Sequence, residues 1–112
     1  MITLRKQISF ALLMGVLSLL AGCMRHSKSE HFYLVATSIK HAYWQSAAAG
    51  FAKAADQYGV TAEMRGPDGF DPQAEVTEFR SVVALKPSGI LVSVANEEMM
   101  RPEIDADRKS VV

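Results

Sequence analysis

Residues 31–59 read HFYLVATSIKHAYWQSAAAGFAKAADQYG, and the fold class follows from how this segment divides. The apolar run 31–37 predicts a strand, residues 38–41 a polar and aromatic loop, and the segment from about Ala42 to Trp44 onward a helix that stops at Gly59. Within that helix Trp44, Ala48, Phe51, Ala55 and Tyr58 recur at steps of three and four, so one face is expected to pack on a sheet. Gln45, Lys53, Asp56 and Gln57 fall on the other faces. The small run Ala47-Ala48-Ala49-Gly50 lets the helix approach the sheet closely, and Gly59 is expected to end it as a left-handed C-cap. In open α/β sheets small molecules are held beyond the carboxyl ends of the strands. The first loop, with Lys40, His41, Tyr43 and Trp44, is therefore the expected point of recognition.

The pattern repeats downstream. Residues 60–65 read as a second strand, and Gly66-Pro67-Asp68-Gly69-Phe70 as a loop dense in turn residues. Asp71-Pro72 marks a helix start: the carboxylate can cap free amides of the first turn, and proline loses no bond at the first helical position. Val76, Phe79, Val82 and Val83 form the expected buried face, with Glu75, Glu78 and Arg80 largely outside it, and Lys86-Pro87-Ser88-Gly89 closes the helix. GILVSV, residues 89–94, is nearly continuous in apolar residues, as expected of a parallel strand covered by helices on both faces. Ala95-Asn96 forms a third loop, and a helix follows from about Glu97, with Pro102 kinking it or marking its true start. The fold class is α/β with a doubly wound parallel sheet, and the order is βαβαβ.

The amino terminus has a different character. Arg5 and Lys6 precede the apolar run 8–20, too short to span a bilayer comfortably but suited to the core of an export signal. It ends in Leu20-Ala21-Gly22-Cys23, which resembles the lipobox of bacterial lipoproteins. That resemblance implies a signal peptide over residues 1–22, lipidation at Cys23, and anchoring to a membrane in the periplasm or at the cell surface. Several acyl chains make such an anchor stable, since each buried methylene contributes about 0.8 kcal/mol. Residues 23–30 then form the lipidated cysteine and a polar tether.

Composition narrows the functions. From residue 23 onward there are ten Lys or Arg against twelve Asp or Glu, with no basic stripe, so a nucleic-acid partner is not expected. Cys23 is the only cysteine, leaving no disulfide and no Cys-based metal site in the folded part. His26, His31 and His41 lack metal-ligand spacing and are expected to be solvated side chains, and no metal or other cofactor is expected. No Ser-His-Asp arrangement or phosphate-binding glycine loop is present, and the adjacent Glu97 and Glu98 suit a helix start, so the chain is not expected to be an enzyme. A folded part of this size is expected to be marginally stable without staples or a partner.

Residues 33–60, YLVATSIKHAYWQSAAAGFAKAADQYGV, followed by EMRGPDGFDPQAEV and KPSGILVSVANEEMMRPEID, resemble the first lobe of the sugar-binding proteins of bacterial ABC importers. This is the periplasmic binding protein family that includes ribose and galactose binders. The resemblance implies that residues 31–106 are a partial amino-terminal lobe of a sugar-binding domain, whose partners are a sugar and a membrane permease. It places Tyr43 and Trp44 where relatives present adjacent aromatic residues to the sugar ring, and Lys40 where they place a polar contact. Asp68 and Asn96, in the second and third loops, are further sugar-binding candidates, and Val94 stands where ribose-type binders carry a polar contact. An alternative is a lipoprotein that hands a sugar or autoinducer to a membrane receptor. The residues 107–112, DRKSVV, depart from the family and resemble a translated sequencing adapter, so a non-native tail on a truncated lobe is expected there. Such a piece alone is expected to be unstable and to bind sugars weakly or not at all.

Overall fold

The computed structural model describes residues 26–109. Their order is β1 (His31–Val35), α1 (Ala42–Tyr58), β2 (Thr61–Arg65), α2 (Pro72–Ala84), β3 (Gly89–Val92) and α3 (Glu97–Lys109). The strands form one parallel sheet in the order β2-β1-β3. Tyr33 lies between Glu63 and Ile90, and Val35 between Arg65 and Val92. Cys23 and the expected signal segment lie outside the described residues.

The core sits on one face of the sheet. Tyr33 and Val35 point there from β1 and meet Val76, Phe79 and Val82 of α2 and Met100 of α3, with Ile90, Val92 and Ile104 at the margin. Fully burying each such side chain contributes roughly 1.5–3 kcal/mol. Arg80 of α2 grips Glu103 of α3 with two hydrogen bonds, Nε to Oε2 at 2.9 Å and Nη2 to Oε1 at 2.6 Å, fixing the outer edge of the helix pair. On the opposite face α1 lies over β2, where Phe51, Ala54 and Ala55 approach Phe32 and Ala62.

Local chemistry sets the ends of the elements as the residues suggest. Gly59 caps α1 at φ 69°, in the left-handed region. Asp71 Oδ1 accepts from Ala74 N at 3.0 Å, and Pro72 opens α2. α3 starts at Glu97 and runs through Pro102 to Lys109, so the proline neither begins nor ends it.

Three expectations are corrected. Glu75 is fully buried rather than outside the helix face, because its position shares a face with Phe79 and Val82 four and seven residues on. β3 ends at Val92, and it is not covered on both faces: Leu91 is 50 % exposed and Val94 is also exposed, because α1 packs chiefly on β2. Tyr58 is exposed, its ring edge-on to that of His26 at the mouth of a cavity beside Phe32 and Ala62 rather than packed on the sheet.

Candidate functional site

Three loops leave the carboxyl ends of the strands. β1 is central, so the loop after it is flanked by the β2–α2 loop on one side and the β3–α3 loop on the other. The connection from β1 leads to β2, whereas β3 lies across β1 from β2, so the winding reverses between β1 and β3. Open α/β sheets form their ligand crevice at that reversal. Here its walls are residues 36–44 on one side and residues 93–96 on the other.

The first wall is tightly specified. Ala36 N donates to Arg65 O at 2.9 Å and Ile39 N to Pro67 O at 2.9 Å, while Ser38 Oγ donates to Asp68 O at 3.0 Å. These bonds need the β2–α2 loop to come very close. A Cβ at Gly66 would stand 2.2 Å from Ala36 O, and the backbone there has φ 152°, so only glycine fits. His41 Nδ1 accepts from Tyr43 N at 3.3 Å and caps α1, which gives that histidine a local structural task.

At the start of α1 the two aromatic candidates meet edge to face, with ring centroids 5.0 Å apart and planes at 87°. Trp44 is half-buried, and its Nε1 donates to Thr37 Oγ1 at 3.0 Å, so the indole is fixed against the end of β1. Tyr43 is 65 % exposed. The pair thus combines an anchored ring with an open one. Such a corner suits the apolar C–H face of a small polar ring, whose hydroxyls would be met by polar groups at its edge.

The remaining candidates divide. Lys40 Nζ and Asp68 Oδ2 pair at 2.5 Å across the first and second loops, both well exposed, so the pair contributes little to stability and neutralises both charges. Asp68 lies on the side of β1 away from the winding reversal. Asn96 lies on the second wall of the crevice. Its Oδ1 accepts from Met99 N at 3.0 Å, making it the N-cap of α3, and its amide NH2 takes no part in the cap. Val94 is exposed beside it.

Two residues that position this site escaped the sequence reading. Thr37 fixes Trp44 and reads in sequence as the last residue of a strand. Glu75 reaches from α2 into the β3–α3 loop, where Oε2 accepts from Ala95 N at 2.9 Å. Its spacing from Phe79 and Val82 was the available signal. Burial raises the Glu75 carboxyl above its ordinary range, and the Ala95 amide opposes that in part.

An apolar cavity of about 200 Å³ lies at the other end of the sheet, lined by Phe32, Phe51, Ala55, Tyr58 and Val60, beyond the reach of these loops. Among the described residues no group of three His, Cys, Asp or Glu could hold a metal, and no helix is long and apolar enough to cross a membrane.

No protein-family model matches the chain, and no curated protein matches it. Solved structures do. It is similar to an ABC sugar transporter's periplasmic sugar-binding protein from Legionella pneumophila, at 26% identity and a TM-score of 0.68, over 71% of this chain and 30% of that one. It is also similar to AraP, an arabinose-binding protein from Geobacillus stearothermophilus, at 28% identity and a TM-score of 0.70, over 75% of this chain and 29% of that one. The chain therefore spans under a third of the length of these proteins. Its three-stranded parallel sheet and helices match the periplasmic binding protein fold as part of one lobe.

Proposed function

From this fold, we propose that the chain carries one wall of a sugar-binding site of the ABC-importer kind, with Tyr43 and Trp44 stacking on the sugar and Asn96 meeting its hydroxyls, while Lys40 could join them only on leaving its pairing with Asp68. The observation that carries the reading is the exposed Tyr43 set edge to face against an anchored Trp44, at the point where the strand order reverses. The solved neighbours, binding proteins rather than enzymes, support it. In the same reading the sugar is captured outside the cytoplasm and passed to a membrane permease, and Cys23 carries the lipid that holds the protein at a membrane surface.

Trp44 is the sole tryptophan, so its indole N–H gives one resolved signal in proton–nitrogen correlation spectra. Titration with a panel of pentoses and hexoses is expected to shift that signal and the Tyr43 ring in the millimolar range for at least one sugar. Tyr43→Ala is expected to weaken the response by roughly threefold to tenfold, the worth of one aromatic contact. A sugar response confined to residues away from Tyr43, Trp44 and Asn96 overturns the reading. The anchor has its own check: metabolic labelling with a radioactive fatty acid should mark the chain and should not mark Cys23→Ala.

A further inference from the structure

β3 is held to β1 as far as Ser93, whose N–H donates to Val35 O at 2.9 Å. Two residues on, where a parallel ladder would next take a donor, β1 has already turned away into its loop. Ala95 N donates instead to the Glu75 carboxylate. Immediately after Ala95 comes Asn96, whose side chain caps α3 and whose backbone O accepts from Met100 N at 3.1 Å. The path from β3 into α3 is thus tied back to α2 by the Glu75 side chain.

That side chain is an unusual choice for its place. Glu75 is 0 % exposed, and its second oxygen, Oε1, is buried with no hydrogen-bond partner. A carboxylate in such a setting costs stability, and an apolar residue would fill the same slot without that cost. What an apolar residue cannot do is accept from Ala95 N. We propose that Glu75 is a positioning residue for the ligand crevice: it replaces the missing rung beyond the end of β1 and so sets where Val94 and Asn96 stand. What the loop is positioned for rests on the sugar-site reading; that Glu75 positions it does not.

The test separates the two. In the whole chain, amide exchange at Ala95 is compared with that at Ser93, whose bond lies within the ladder and serves as the internal reference. Glu75→Leu should speed exchange at Ala95 by about tenfold or more, the effect of losing a hydrogen bond to a charged acceptor, while leaving Ser93 unchanged. Glu75→Gln, which keeps an acceptor oxygen but not the charge, should slow exchange at Ala95 by about threefold or more relative to the Leu variant. In the unaltered chain the Ala95 amide resonance should titrate together with the Glu75 carboxyl carbon, a measurement that survives even if the Leu variant fails to fold. Unchanged exchange at Ala95 in the Leu variant, equal acceleration at Ser93, failure of Gln to slow exchange relative to Leu, or an Ala95 resonance that ignores the Glu75 titration would each overturn the proposal. In the sugar titration, the Leu variant should lose the response at the Asn96 side chain and keep that at Trp44. Loss of neither rejects the role in the crevice, whereas an unaltered chain whose sugar response lies away from Trp44 and Asn96 rejects the sugar reading and leaves the exchange result to decide Glu75.

Discussion

The Glu75 carboxyl is raised above 4.5 in the fold by burial, so folding takes up protons in the window that opens above that value. Its contribution to stability is therefore unpenalised below pH 4.5 and is progressively lost as the pH rises until the folded carboxyl has ionised. Glu103, held low by Arg80, acts in the opposite sense and loses its contribution as the pH falls, but it is common to both proteins in a comparison with Glu75→Gln. The difference in urea midpoint between that variant and the parent should shift in favour of Gln as the pH rises from 4 to 7; a difference independent of pH would contradict the burial argument. Gly66→Ala places a methyl against Ala36 O and a side chain in a glycine-only conformation. It should destabilise the chain by roughly 2–4 kcal/mol in urea unfolding and disturb the Trp44 indole signal, since the first loop would have to retreat.

The elements owe their ends to a few capping groups and their middles to apolar stripes. α2 has the more complete signals: Asp71 caps it, Pro72 opens it, and Val76, Phe79 and Val82 are buried. Replacing Asp71 by Ala should cost about 1 kcal/mol. α3 is less well served. Asn96 caps it and Met100 is fully buried, but Pro102 stands inside it, where its missing N–H cannot reach Glu98 O. Pro102→Ala should raise stability by about 1–3 kcal/mol, with the gain visible as slower amide exchange in the α3 segment. Glu97 and Glu98 sit in the first turn, where the helix dipole favours them, and Arg101 pairs with Glu97 one turn on.

Across the whole molecule the two sheet faces are unequal. One is closed by α2 and α3 around Tyr33, Val35 and Met100, while on the other α1 lies over β2 and leaves Leu91 half exposed on β3, an edge strand of the described sheet. Because Leu91 contributes little to the core, Leu91→Lys should change stability by no more than about 0.5 kcal/mol while reducing binding of an apolar dye. A much larger loss would mean that this face is covered in solution.

The alternation of strands and helices, the caps at Gly59 and Asp71, the parallel sheet, and the chemical character of Tyr43 and Trp44 were legible in the residues alone. These follow from local periodicity and from backbone chemistry confined to a few neighbouring residues. The anchoring of Trp44 on Thr37, the pairing of Lys40 with Asp68, the burial of Glu75 beneath the third loop and the open face of β3 emerge only in the assembled fold. Each of those depends on which segments the order β2-β1-β3 brings side by side. A residue's own neighbours in sequence cannot report a partner that arrives from another helix or loop.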